Sequence, residues 1–167
     1  MANFIFLDID GVMNNRIDWM RKVDNKSENF EDHRMFCDEA WQMLSDVCKE
    51  IDAKVILSSS WRLSLKKDGD VIVPVNPKCY LSNRLLNYFD KYNIKLNGLT
   101  TNYYDYRGKQ IQEYVKKYFG EYDKYIVLDD EVCDINGYVP REQIIKTEFE
   151  TGLLPEHCEK IIQYFNN

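Results

Sequence analysis

Short apolar runs alternate along this chain with longer segments of helical spacing, and that alternation restricts the fold more than any other feature. A strand covered by helices on both faces is buried on both, so it shows as a continuous apolar run and not as an in–out alternation. The first such run is Phe4-Ile5-Phe6-Leu7 and the second is Lys54-Val55-Ile56-Leu57. Between them Phe36, Ala40, Met43, Leu44, Val47 and Ile51 fall on one helix face. A second helix carries Leu81, Leu85, Tyr88 and Phe89, followed by a short strand near Ile94-Lys95-Leu96. A third carries Ile111, Tyr114, Val115, Tyr118 and Phe119 and ends at Gly120, a residue suited to the left-handed C-terminal position. Tyr125-Ile126-Val127-Leu128 and Gln143-Ile144-Ile145-Lys146 supply a fourth and fifth strand, and Pro155 opens a last helix that buries Cys158, Ile161, Ile162 and Phe165. Strand and helix in this order build an α/β domain around a parallel sheet.

A length of 167 residues suits one hydrophobic core, and no repeat or Gly/Ser-rich linker divides it, so residues 1–167 form a single domain in this reading. Two stretches fit no core element, 13–35 and 66–79, and are expected as a flap or hairpin over one end of the sheet. A formal net charge of -6 argues against a broad basic surface that wraps duplex nucleic acid, while leaving room for a small basic patch. No apolar run approaches the roughly 20 residues of a bilayer span, and no basic, apolar leader opens the sequence. The expectation is a soluble cytoplasmic protein with no membrane partner. Five cysteines without a CxxC pair point to reduced thiols, and His33 and His157 lie too far apart for a His-rich zinc site. The twelve tyrosines fall mostly at helical spacing or beside strands and are read as packing residues.

In open α/β sheets ligands collect at the carboxyl ends of the strands. The first strand ends in Asp8-Ile9-Asp10-Gly11, two carboxylates on alternate residues before a glycine that permits a sharp turn. An EF-hand calcium loop is excluded, because a strand-like run precedes the motif and the later loop ligands are missing. The second strand ends in Ser58-Ser59-Ser60-Trp61-Arg62, hydroxyls and backbone N–H groups opening a helix, which forms a natural anion site. The fourth ends in Asp129-Asp130, with Asp134 beyond; adjacent aspartates after a buried strand call for cations. Arg107-Gly108-Lys109 precede the third helix, where a cation reaches the same end of the sheet.

These four features, in this order and on these strands, resemble the signature of the haloacid dehalogenase (HAD) superfamily of phosphohydrolases. The resemblance rests on FIFLDIDGVMN from Phe4 to Asn14, on Val55 to Ser58 and on Ile126 to Asp130. SSSWR, the RG before a helix, LDD and the late Thr151-Gly152-Leu153 are similar to the small HAD domains of Swiss Army Knife RNA-repair proteins. The resemblance implies a Rossmannoid three-layer α/β/α fold, a five-stranded parallel sheet of order 3-2-1-4-5 and no large cap domain. It further implies Mg2+ held by the Asp8 carboxylate, the Asp10 backbone carbonyl and Asp130, with Asp129 as the alternative ligand and Asp134 in support. Asp8 is then the nucleophile that forms an aspartyl-phosphate, and Asp10 the acid and base. Ser58, Ser59 and a cation, either Arg107 or Lys109, hold the phosphate oxygens, and Arg62 is either a clamp for a second phosphate or a surface arginine.

The implied activity is magnesium-dependent phosphomonoester hydrolysis, on a nucleic-acid end or another bulky phosphorylated substrate, Arg62, Lys66 and Lys67 offering a small basic footprint. A small-metabolite or nucleotide phosphatase of the same fold, and a phosphate-binding module without turnover, stand as alternatives. A phospho-receiver domain fits less well, since its acidic pair follows the first strand whereas here the adjacent pair follows the fourth.

Overall fold

A computed structural model describes residues 2–16 and 36–167; most of the flap expected over 13–35 lies outside the described residues. Five parallel strands form the main sheet: β1 (Asn3–Leu7), β2 (Ala53–Leu57), β5 (Leu96–Leu99), β6 (Lys124–Asp129) and β7 (Ile144–Lys146). Between β2 and β5 the chain makes a separate antiparallel hairpin of β3 (Leu65–Asp68) and β4 (Val71–Pro74), within the stretch expected as a flap. The sheet order is β5-β2-β1-β6-β7. Its numbers differ from the expected 3-2-1-4-5 because the two hairpin strands, which take no part in this sheet, are counted between β2 and β5.

Residue direction along β1 divides the interior in two. Ile5 and Leu7 face a core shared with α1 (Asp38–Glu50), α2 (Tyr80–Lys91) and α4 (Pro155–Asn166), through Trp41, Leu44, Leu85, Phe89, Ile161 and Phe165. Phe4 and Phe6 face a smaller cluster with Ile56, Val127, Ile135 and Val139, closed by Ile111 of α3 (Arg107–Tyr118). Successive strand side chains point to opposite faces, so one apolar run serves both layers. Trp41 is fully buried, its ring edge-on to Phe89 at 4.9 Å and to Phe36 at 5.7 Å. No helix among the described residues is long and apolar enough to cross a membrane.

Three local expectations need correction. The third sheet strand lies two residues later than Ile94-Lys95-Leu96; Ile94 is buried, but pairing with β2 runs from Leu96 through Gly98 to Leu99. Gly98 is tolerated there because the Tyr114 hydroxyl occupies the space a side chain would need. Gly120 does not terminate α3 in a left-handed conformation. The helix stops at Tyr118, where Phe119 turns extended and stacks on Phe4 at a centroid distance of 4.2 Å; core packing, not the glycine, ends it. The tyrosines also divide. Tyr114 and Tyr125 pack at the smaller core, whereas Tyr103 is 89% exposed and Tyr106, Tyr118 and Tyr122 are exposed as well.

The Thr151-Gly152-Leu153 segment folds back onto the turn after β1. Leu153 N–H donates to the Val12 carbonyl at 2.9 Å, and a Cβ at Gly152 would stand 2.7 Å from that same oxygen, at a φ of +69°. Gly152→Ala meets both a backbone clash and a left-handed conformation, and is expected to cost about 1–3 kcal/mol. Urea denaturation checks this; a midpoint equal to that of the parent would show that the segment does not brace the turn.

Candidate active site

Because β1 lies between β2 and β6, the residues after these strands meet at one edge of the sheet. Asp8 continues the ladder, its N–H donating to the Leu128 carbonyl at 3.0 Å. Val12, Met13 and Asn14 N–H groups then converge on the Ile9 carbonyl, so the chain turns back tightly at Gly11, where φ is +74°. Any side chain at Gly11 would collide with the Asp130 carboxylate, which lies over the turn. Asp8, Asp129 and Asp130 thereby offer carboxylate oxygens within 4.8 Å of one another, with Asp8 and Asp129 both buried.

Among the described residues one cation enters this group. Arg107, the first residue of α3, places Nη1 3.4 Å from Asp8 Oδ1 and pairs it with Asp129 Oδ2. Burial raises the Asp8 carboxyl above its ordinary range, against the pull of Arg107 and a hydrogen bond from the Ser59 hydroxyl. Burial and then the charge of Asp8 raise Asp129, and burial raises Asp130. Three ionised carboxylates facing one guanidinium leave a negative excess that a divalent cation would neutralise. The donor set, all oxygen and few in number, fits magnesium, which keeps several waters and binds through one or two carboxylates plus phosphate. Asp129 already has both oxygens engaged, Oδ1 by Glu131 N–H at 3.0 Å and Oδ2 by Arg107, which leaves Asp130 the freer ligand.

Asp10 is held apart from the cluster. Its Oδ2 accepts from Trp61 Nε1 at 2.9 Å and its Oδ1 from Asn14 Nδ2 at 3.1 Å. Ser58 is fully buried, and its hydroxyl has no hydrogen-bond partner among the described residues, an orphan suited to a bound anion. Ser59 caps the short 3₁₀ turn Ser60–Ser64, its hydroxyl accepting from Trp61 N–H at 3.4 Å. Of the two candidate cations, Arg107 touches Asp8, while Lys109 Nζ sits 4.6 Å from the Tyr104 ring centroid.

One sequence expectation changes here. Arg62 is not a surface residue. It is 8% exposed, and its guanidinium donates to the carbonyls of Ser58 at 2.9 Å and Ser59 at 2.7 Å and to Gln110 Oε1 at 2.6 Å. Asp134 accepts from Arg107 N–H at 3.0 Å, so it supports the site by anchoring the start of α3. Sequence reasoning missed Trp61 and Asn14 as partners of Asp10, and also Thr147. The buried Thr147 ties two loops together: its hydroxyl donates to the Gly11 carbonyl at 2.7 Å and its N–H to the Asp129 carbonyl at 3.0 Å. An indole immediately after a serine-rich strand end was the available signal for Trp61; Thr147 carried none.

The family described as "HAD domain in Swiss Army Knife RNA repair proteins" matches residues 4–158, a span that contains every residue of this site. Comparison with curated proteins and with solved structures gave no match.

Magnesium titrated into the metal-free protein is expected to raise its melting temperature, and more at pH 7.5 than at pH 5.5. A carboxylate whose folded pKa is raised favours folding at low pH and loses that contribution as pH rises through its folded value, so the bare cluster weakens the fold most near neutrality. Asp130→Asn should reduce magnesium affinity more than Asp129→Asn, since loss of an outer partner typically costs about 10- to 100-fold and loss of a direct ligand more. A larger loss for Asp129→Asn would reverse the ligand choice.

Proposed function

Because the chain belongs to the HAD domain family of Swiss Army Knife RNA repair proteins, and so to the HAD-type phosphohydrolases, we propose that it is a magnesium-dependent phosphomonoesterase. The observation that carries this reading is the separation of two aspartates only two residues apart. Asp8 sits inside the carboxylate cluster against Arg107, whereas Asp10 is held outside it by Trp61 and Asn14. A nucleophile needs a fixed, charge-balanced position, and an acid and base needs freedom to gain and lose a proton.

In the proposed reaction an Asp8 carboxylate oxygen attacks phosphorus while the bond from phosphorus to the ester oxygen breaks. Protonated Asp10 gives its proton to that leaving oxygen, and the product alcohol departs from an aspartyl-phosphate. Asp10, now ionised, takes a proton from water as the water oxygen attacks phosphorus, and the bond to Asp8 breaks to release phosphate. Arg107 and the orphaned Ser58 hydroxyl donate to the phosphoryl oxygens as charge shifts among them. Magnesium, when held by Asp8, Asp130 and the Asp10 carbonyl with Asp129 alongside, would offset the repulsion between an anionic nucleophile and an anionic substrate.

A phosphate at a nucleic-acid end is the favoured substrate. The family description supports it, and the hairpin β3–β4, the insertion described after β2, is far smaller than a cap domain. Arg62 makes no part of a basic footprint, because it is buried with both terminal nitrogens turned to Ser58, Ser59 and Gln110; Lys66 and Lys67 stand exposed on β3.

Asp8→Asn keeps the shape and removes the attacking charge, and turnover of an aryl phosphate is expected to fall by several orders of magnitude. Near-parental activity would sink the reading in favour of a binding module. Asp10→Asn should slow alkyl phosphates strongly and aryl phosphates less, because a good leaving group needs little protonation. An equal loss on both, with release of the leaving group limiting, would assign Asp10 a geometric role instead.

A further inference from the structure

Asp10 stands on the wall of an open, solvent-facing cavity of about 390 Å³ that its proposed catalytic role alone does not explain. We propose that this cavity is the leaving-group subsite and that it takes a neutral, flat leaving group, a nucleoside. The inference rests on the phosphatase reading above and names the substrate class of that same site.

The argument begins from where a proton can go. A general acid must come within about 2.6–3.2 Å of the oxygen it protonates. Whatever hangs from that oxygen therefore starts at Asp10 and extends into the space that Asp10 borders. That space is lined by Trp61, Leu63 and Leu81 with Ser60 and Ser64 among them. The indole is fixed in orientation: Nε1 is held by Asp10 at 2.9 Å, and the Phe36 ring lies 5.4 Å away. A pinned aromatic face stacks on a flat ring with little ordering cost, which is the sequence-tolerant mode by which bases are held. Leu63, 57% exposed, gives an apolar rim. Ser64 Oγ donates to the Trp61 carbonyl at 2.8 Å, so its lone pairs remain to accept from a sugar hydroxyl or a base edge.

Charge narrows the class further. Among the described residues the lining carries no cation, and its acidic groups are the Asp10 carboxyl and the Cys79 thiol. Arg62, the nearest arginine in sequence, points its donors inward to Ser58, Ser59 and Gln110. A leaving group with its own carboxylate or second phosphate would meet no counter-charge from these residues. Sugar bisphosphates and phosphorylated acids are thereby disfavoured, and a neutral nucleoside, free or at the end of a strand, is favoured.

The test is steady-state phosphate release with magnesium from adenosine and uridine 3′- and 5′-monophosphates, matching terminally phosphorylated dinucleotides, glycerol phosphate and p-nitrophenyl phosphate. The expected result is a kcat/KM for a mononucleotide about tenfold or more above that for glycerol phosphate, the scale of one stacked base. Dinucleotides should not greatly exceed mononucleotides, because the described lining has no cation for a second phosphate; a large gain would overturn the single-nucleoside assignment. Trp61→Leu should raise the nucleotide KM about tenfold where Trp61→Phe, which keeps a ring, changes KM little. Both should lower kcat through loss of the hydrogen bond to Asp10. Leu63→Ala, at an exposed position without folding risk, should lower the ratio of nucleotide to glycerol phosphate kcat/KM. A protein that hydrolyses p-nitrophenyl phosphate yet shows equal kcat/KM for nucleotides and glycerol phosphate would overturn the subsite alone. One that hydrolyses nothing would overturn the phosphatase reading with it.

Discussion

Two carboxylates buried side by side at the ends of adjacent parallel strands set the terms for everything around them. The register of β1 against β6, Leu7 opposite Leu128, makes Asp8 and Asp129 neighbours, and the close packing of both strands removes them from water. Neither can be buried and ionised without compensation, and removing one partner of such a group commonly costs several kcal/mol. Arg107 supplies that compensation only because α3 begins at the right point. Its start is fixed from β6's own following loop, where Asp134 accepts from Arg107 N–H through its side chain and from Gly108 N–H through its carbonyl. The helix that brings the cation is thus positioned by the segment that bears the anions.

The turn carrying Asp10 is held by residues remote in sequence. Thr147, just after β7, bonds the Gly11 carbonyl and the Asp129 backbone at once, and the Gly152-Leu153 segment closes on Val12. These contacts set the height of the Gly11 turn beneath Asp130, where any added side chain would displace the carboxylate. Loop residues so constrained keep catalytic groups in fixed geometry although they lie outside regular structure.

The strands and the candidate site were largely legible in the sequence, for a shared reason: a strand buried on both faces leaves a dense apolar run, and the chemistry sits directly at its end. Asp8, Asp10, Ser58, Asp129 and Asp130 could all be named that way. What escaped depends on direction in space. Arg107 and Lys109 lie two positions apart in a helix of 3.6 residues per turn, so they point to nearly opposite sides, and only packing decides which side faces Asp8. Gly98 disguised the edge strand, since a glycine inside a strand reads as a break until the Tyr114 hydroxyl is found filling its place. Thr147 was invisible because its role lies in a contact with Gly11, 136 residues away.

The inward turn of Arg62 completes the logic of the site. Its guanidinium spans the backbone of Ser58 and Ser59, after β2, and Gln110 on α3, so the loop bearing the orphaned serine and the helix bearing Arg107 are joined through one side chain. Burial lowers its pKa, and the neighbouring Arg107 lowers it further, with Asp8 opposing. Such a charge is tolerated beside another arginine only where anions stand close by, and here Asp8 is the anion that opposes the shift. A phosphoryl group arriving at Ser58 would add to that negative surrounding and so favour both guanidinium ions. In the proposed reaction Arg62 would therefore act by field and by rigidity, leaving the direct contacts to Arg107 and to the backbone that Arg62 holds in place.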